Sequence, residues 1–238
     1  MRKLGSPHLH LKSVGSTNER ASELAAAGAP HGTLVSADHQ SSGRGRQGRD
    51  WIAPAGSSLL ISLLLRDPPE LLPLTAAVAV AEVCGPAARI KWPNDILLPS
   101  AGEAPAKVAG ILCESRPQEN WAVVGIGLNA ALDLELLPSD LRAGAATLGL
   151  RSDERWPLIQ QLLGAFEQSL ALPAEAILAQ WRERDALLGK EISWTTAEMP
   201  QSGTATGVNA SGALTVRLPD GSEIELNAGE VHLTAAAD

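Results

Sequence analysis

The chain has 238 residues, 45% of them apolar and 19% charged, which is enough for one or two domains with a hydrophobic core and argues against a disordered, collagen-like or coiled-coil chain. Its 19 Lys and Arg against 27 Asp and Glu give a net charge of −8, so a surface basic throughout for nucleic acid is excluded and only a local basic site remains open. Cys84 and Cys113 lie far apart without CxxC or CxxH spacing, which fits neither a zinc module nor a disulfide scaffold and suits a reducing compartment.

Residues 1–15 form a polar lead-in with no apolar stretch of signal-peptide length. The longest apolar runs, 59–65 and 74–83, fall well short of the ~20 residues of a membrane span, so a cytoplasmic protein without membrane contact is expected. Residues 16–27, STNERASELAAA, predict a helix: Ser16 at the N-cap, Glu19 three positions on to complete a capping box, and Gly28 past the last turn. A short β-prone run, 33–37, is followed by a stretch rich in glycine and arginine, 41–50, and then by residues 57–65, which have the length and apolar content of a buried strand.

Residues 73–83 read as a helix stopped by Gly85 and Pro86. Strands are expected at 89–92, 107–114 and 121–128, the last two joined by a polar turn at 117–120, and helices over 153–170, with Pro157 in the first turn, and 173–187. From Gly189 the pieces 191–195, 204–208, 213–218, 223–226 and 230–233 alternate with turn sequences such as Asn209-Ala-Ser-Gly and Pro219-Asp-Gly. With six Trp, one Phe and no Tyr, the core has to be filled mainly by Leu, Ala, Val and Ile. These elements predict an α/β (α+β) fold: a catalytic domain with a central mixed β-sheet and flanking helices over residues 1–187, and a small C-terminal SH3-like β-barrel over 188–238.

The segment Gly43-Arg-Gly-Arg-Gln-Gly-Arg49 contains G-x-G-x-x-G, but the Trp51-Ile-Ala-Pro that follows is a poor helix start, so a dinucleotide-binding turn is rejected. Its glycines let backbone N–H groups approach a ligand, and Arg44, Arg46 and Arg49 supply permanently charged planar donors for carboxylate or phosphate. Lys91-Trp-Pro-Asn-Asp95 presents an amide and a carboxylate on a rigid turn, suited to a nucleotide hydroxyl or a magnesium–phosphate group. Lys107 opens the apolar strand KVAGILCE, an expensive place for an ammonium without an anionic partner. Gly125-Ile-Gly-Leu-Asn129 ends another strand with glycines and an amide. Taken singly, each also has an ordinary reading: a solvated loop, turn chemistry, a lysine snorkelling to solvent, a simple strand end.

Taken together and in this order, the Ser16-Thr17-Asn18 helix start, Gln40 with the arginine loop, KWPND, KVAGIL and GIGLN resemble the biotin protein ligase family over nearly the whole chain, with the GRGRxGR and KWPND pair the most specific part. That resemblance implies activation of biotin by ATP to biotinyl-5′-AMP and transfer to a lysine of a biotin carboxyl carrier protein domain. It implies that Ser16, Thr17, Asn18, Gln40, Gly43, Arg44, Arg46, Lys107 and Gly110 contact biotin, with Gly110 leaving room for the bicycle. Arg46, Arg49, Trp51, Asn94, Asp95 and Asn129 would face the nucleotide, with Trp51 as lid or stacking residue or else simple packing. Lys107, Arg46 and Arg44 would be catalytic, because a carboxylate attacking a phosphate needs preorganised positive charge.

ATP with Mg²⁺ and biotin are the implied small molecules, and no residue is assigned to hold a resident metal. The five histidines show no metal-ligand pattern, and neither cysteine is expected to be essential. An arginine loop of this composition has little to bury and is expected to order around ligand.

Repressor members of the family carry an N-terminal winged helix-turn-helix domain, whereas fifteen residues precede Ser16 here, so a ligase-only form without DNA contact is expected. Gln47 stands where the family commonly has Arg. The rival within the superfamily is a lipoate or octanoate ligase or transferase. A rival of another class, a nucleic-acid or protein-binding module on the barrel, is opposed by residues 189–238 being net acidic with Trp194 their one aromatic. A homodimer through sheet edges is left open.

Overall fold

The computed structural model describes residues 3–100, 104–196, 199–227, 229 and 231–233. The chain runs β1 (His8–Leu11), α1 (Thr17–Ala26), β2 (Leu34–Ala37), β3 (Ser58–Arg66), α2 (Leu72–Val83), β4 (Arg89–Lys91), β5 (Asp95–Leu98), β6 (Ala106–Arg116), β7 (Trp121–Asn129), α3 (Ser139–Arg142), α4 (Arg155–Leu170) and α5 (Ala174–Glu183). It continues through β8 (Glu191–Thr196), β9 (Met199–Val208), β10 (Leu214–Arg217), β11 (Glu223–Leu226) and β12 (His232–Leu233). Seven strands form one sheet in the order β1-β2-β3-β7-β6-β5-β4. Only β1 and β2 are parallel, so the sheet is mixed, as expected.

The two faces of this sheet are buried differently, and that difference creates the site. On one face Leu59, Ile61, Leu63 and Leu65 of β3 join Val124, Ile126 and Leu128 of β7 under α2 and α4. On the other face α1 covers only part of the sheet, packing Ala21 and Ala25 on Val35, Leu64, Trp121 and Val123. Burial on both sides explains why β3 reads as a continuous apolar run rather than an alternating one. Helix α2 is buried nearly all round between the sheet and α4, so its sequence lacks a polar stripe.

Helix α1 begins where its caps predict. Ser16 Oγ accepts from Glu19 N, while Glu19 turns its own carboxylate to Arg44, so the reciprocal half of the capping box is not made. At the other end Gly28 N donates to Ala25 O and Ala29 N to Leu24 O, with Gly28 at φ +87°, a Schellman ending.

Four expectations need correction. The lead-in contains β1, whose His8 and His10 both hydrogen-bond Ser36 Oγ at 2.8 Å across the parallel pair. The KWPND turn runs straight into β5, which fills the place between β4 and β6. Helix α5 ends at Glu183, four residues before the expected end, because the chain leaves it to pair with β4: Ile90 N donates to Arg184 O at 2.7 Å and Ala186 N to Ile90 O at 2.9 Å. The C-terminal strands form an antiparallel sheet, β11-β10-β9-β8-β12, and no β11–β12 pairing closes it into a barrel among the described residues. Glu230, where the last strand was expected to start, lies outside the described residues.

The small sheet shares its core with the large one. Trp194, Ala205, Val208, Leu214 and Val216 belong to the same apolar cluster as α2, α4 and α5. Trp92 Nε1 donates to Gly212 O at 3.1 Å, and Arg182 to Val208 O at 2.8 Å.

Candidate active site

The part of the sheet face that α1 leaves open forms the floor of a cavity of about 330 Å³, within the range of small-molecule sites. Strand register sets two rows across this floor. One row places Gly125 of β7 between Ser62 of β3 and Leu112 of β6; the next, two residues along, places Gly127 between Leu60 and Gly110. Both rows are low because their centres lack side chains, and each glycine is covered by a different residue. A Cβ on Gly125 would lie 2.1 Å from Asn18 Oδ1, and one on Gly127 would lie 2.4 Å from Trp51 Cε2.

Over Gly125 sits the N-terminus of α1. Thr17 N and Oγ1 approach Gln40 Oε1 at 2.7 and 2.9 Å, Ser62 Oγ lies 2.8 Å from Thr17 Oγ1 and 2.6 Å from Asn18 Oδ1, and Asn18 Nδ2 donates to Leu112 O and Glu114 Oε2. Ser16, Thr17, Asn18 and Ser62 are almost fully buried, so the cavity has a closed, polar end. The helix cap that starts α1 therefore also supplies this end of the site.

Over Gly127 and Gly110 lies the Trp51 indole, whose Nε1 is buried without a hydrogen-bond partner among the described residues. The space that Gly110 was expected to leave for the bicycle is taken here by this ring and by Lys107 Nζ. Lys107 Nζ sits 5.4 Å from the indole centroid and 2.6 Å from Asp95 Oδ1. This is the anionic partner that a lysine at the head of an apolar strand requires.

The arginine loop is a hairpin closed on itself. Gly45 N donates to Arg49 O and Trp51 N to Gly43 O, and the chain reverses at Gln47 and Gly48, both at positive φ. Arg44 pairs with Glu19. Arg44, Arg46 and Arg49 all line the cavity, so loop and strand bring four cationic side chains, Lys107 among them, to one wall.

The remaining expected residues divide into liners and braces. Ser16, Thr17, Asn18, Gln40, Trp51, Asn94, Lys107, Gly110 and Asn129 line the cavity along with the three arginines. Gly43 does not; it lets the loop fold close, since a Cβ there would meet Trp51 O at 2.5 Å. Asp95 stands behind Lys107. Asn94 exchanges hydrogen bonds with the Ile111 backbone. Asn129 donates to Ala146 O and accepts from Ser58.

The Asn129–Ala146 bond anchors a segment whose role in the site its sequence does not announce. Residues 131–146 form a flap over the cavity, tied down by Lys107 N to Gly144 O and Ala146 N to Lys107 O, both 2.8 Å. It presents Leu132, Leu137 and Leu141 to the site. Its signal was visible as ALDLELLPSDL, a leucine-rich run whose brief alternation at 132–136 is cut short by Leu137-Pro138, with Leu136 and Leu141 left 65% and 42% exposed. Ser62 was missed because it is a single polar residue within an apolar run, and Glu114 because it opens the polar end of its strand, Glu114-Ser-Arg116, like an ordinary strand end. Burial pushes both thiols, Cys84 and Cys113, up to about 12, Arg46 pulling Cys113 the other way, which makes them poor nucleophiles.

Residues 11–130 match the pattern of the Biotin/lipoate A/B protein ligase family, and residues 187–233 that of the Biotin protein ligase C terminal domain. The chain is 34% identical to the biotin (acetyl-CoA-carboxylase) ligase of Paracoccus denitrificans, covering 90% of this chain and 95% of that one. It is 33% identical to the bifunctional ligase/repressor BirA of Bacillus subtilis, covering 87% of this chain and 68% of that one. Among solved structures, biotin protein ligase from Aquifex aeolicus in complex with biotin and ATP superposes with a TM-score of 0.79 at 25% identity, over 96% of this chain and 100% of that one. The chain belongs to the biotin/lipoate A/B protein ligase family.

Proposed function

We propose that the chain is a biotin protein ligase: with ATP it converts biotin to biotinyl-5′-AMP, then passes the biotinyl group to a lysine of a carboxyl carrier domain. One observation carries this reading. A single cavity joins a closed polar end, built by Thr17, Gln40 and Ser62, to a wall of four cationic side chains, and the fold around it is that of a ligase described with biotin and ATP.

The first step brings a carboxylate to a phosphate, so its barrier is mainly the repulsion of two anions, which fixed positive charge lowers. Arg44 and Arg46 hold the carboxylate against the α-phosphate, and Arg44 exchanges its Glu19 partner for the substrate to do so. Lys107, held by Asp95, stabilises the charge that passes to the departing pyrophosphate. Arg49 and the flap at 131–146 close on the nucleotide and keep water from the mixed anhydride.

Mg²⁺ enters with ATP as part of the substrate. Asn94 and Asp95 offer oxygen atoms beside Lys107, and the cation would be carried mainly by phosphate oxygens. In the second step the carrier lysine attacks the acyl carbon, and AMP leaves with the electron pair of the broken C–O bond.

The domain boundary falls at 187/188 in this reading, and the enzyme works in the cytoplasm; among the described residues no helix is long and apolar enough to cross a membrane.

The test is direct. Purified protein is incubated with MgATP and either biotin, lipoate or octanoate, pyrophosphate release is followed, and a carrier domain is then examined by mass spectrometry. Release with biotin and a carrier mass increased by one biotinyl group support the reading. Release with lipoate or octanoate alone overturns it in favour of the lipoate branch.

A further inference from the structure

Glu114, on β6 behind the polar end of the cavity, makes no approach to the open site yet touches a residue that does: its Oε2 accepts from Asn18 Nδ2 at 2.7 Å. We propose that Glu114 is a positioning residue that sets the direction of the hydrogen bonds at the closed end of the pocket, so that Thr17 meets the ligand as an acceptor, matched to the ring N–H of a cyclic urea. This deepens the biotin reading and rests on it.

The direction follows from counting hydrogens. A carboxylate and a backbone carbonyl only accept. Asn18 lies between two such groups, Glu114 Oε2 and, at 3.2 Å, Leu112 O, so it must turn both hydrogens of Nδ2 to that side. Its Oδ1 then faces Ser62 Oγ at 2.6 Å, and because an amide oxygen also only accepts, the single hydrogen of Ser62 is committed to it. Ser62 has none left for Thr17 Oγ1, 2.8 Å away. The Thr17 hydrogen is drawn either to Ser62 or to Gln40 Oε1 at 2.9 Å. In both cases what Thr17 turns to the cavity is a lone pair.

The strand register makes the arrangement rigid. Ser62 and Leu112 flank Gly125 on its two neighbouring strands, and the Asn18 amide lies on that glycine with no room for a Cβ beneath it. Ser62 is fully buried and Asn18 nearly so, so water does not compete for the bond between them. A fatty or dithiolane acid has no ring N–H to offer Thr17, and the lone pair would then be buried unmet. Glu114 therefore acts on ligand choice without touching the ligand.

The test reverses the pair. Asn18→Asp puts an acceptor opposite Glu114 and Leu112 O, and the Kd for biotin, measured by titration calorimetry on the full chain, is expected to rise about tenfold or more. Adding Glu114→Gln restores a donor opposite the introduced carboxylate, since its amide replaces the one lost, and at least about threefold of the affinity is expected to return. Ser62→Ala, which cuts the chain of hydrogen bonds at its middle, is expected to weaken biotin about fivefold. In all three the KM for ATP stays at the wild-type value, which separates a positioning role from general damage, and circular dichroism checks the fold.

The inference fails if Asn18→Asp binds biotin within twofold of wild type, if the double variant recovers nothing, or if ATP suffers equally. Should Asn18→Asp not fold, Glu114→Ala, which removes the acceptor from Asn18 Nδ2, decides: a Kd for biotin raised about threefold or more with the KM for ATP unchanged supports the role, and a Kd within about twofold of wild type overturns it. Wild-type protein that binds no biotin sinks the biotin reading itself, whereas normal wild-type binding with unchanged variants sinks only the role of Glu114.

Discussion

Lys107 serves two structures at once. Its backbone pins the flap at 131–146, and its ammonium, held 2.6 Å from Asp95, lies at the cationic wall of the cavity. Substitution by Ala leaves the backbone pairing intact and removes only the charge, so Lys107→Ala is expected to lower biotin-dependent pyrophosphate release about 100-fold or more, with the urea unfolding midpoint little changed. Release at the wild-type rate would mean that Lys107 is a flap anchor alone.

Gly127 is the complementary case, a residue whose contribution is the absence of a side chain. A Cβ there would lie 2.4 Å from the Trp51 ring, and the ring cannot sink further because the sheet is beneath it. Gly127→Ala is expected to lift the indole off the floor at a cost of about 1–3 kcal/mol. Acrylamide quenching of tryptophan fluorescence should increase in this variant and stay unchanged when the same substitution is made in a Trp51→Phe background. Equal increases in both would place the disturbance elsewhere.

Among the elements, legibility tracked how far each is specified by neighbours in sequence. Helix α1 was readable to within a residue because its stop signals are local, and Gly28 can be tested alone: at φ +87° with open space around it, Gly28→Ala is expected to lose about 1–2 kcal/mol of stability by chemical denaturation while kcat/KM for biotin stays unchanged. A cost near zero would remove the left-handed ending as a stabilising feature. Strands β3 and β7 were readable because burial on both faces leaves long apolar runs, and β6 by its apolar stretch at 108–113.

Strands β1 and β5 were not readable. Each has four residues; β1 is made a strand by a partner distant in sequence, β2, while β5 follows the turn residues Pro93 and Asn94 at once and pairs back on β4 as well as on β6. The site divides along the same line. Thr17, Arg44, Arg46, Lys107 and the paired glycines announced themselves by unusual residue types at close spacing. Ser62, Glu114 and the flap did not, since register alone sets Ser62 beside Gly125 and opposite Leu112.

At the scale of the molecule the two sheets are joined by a shared core and by a strip of backbone, residues 184–186, that leaves α5 to pair with β4. Asp185 stands in this strip. Its Oδ1 accepts from Leu187 N at 2.8 Å, while Oδ2 is buried with no hydrogen-bond partner among the described residues. Burial raises its carboxyl above the ordinary value, against a smaller opposing pull from the Leu187 and Leu188 N–H groups.

A raised value in the folded chain means that the folded state holds this proton more tightly than the unfolded one. The group's contribution to stability is then fully present below the unfolded value, about pH 4, and is lost as pH rises through the higher folded value. Asp185→Asn keeps the oxygen that Leu187 uses and abolishes the titration. The difference in unfolding free energy, wild type minus variant, is therefore expected to fall as pH increases from about 4 and then to level off once the folded-state carboxyl is ionised. Because the strip bridges both sheets, the same trend is expected whether unfolding is followed by tryptophan fluorescence or by far-ultraviolet circular dichroism. A difference that is flat or climbs with pH would show that the Asp185 carboxyl is not held protonated by the join between the two sheets.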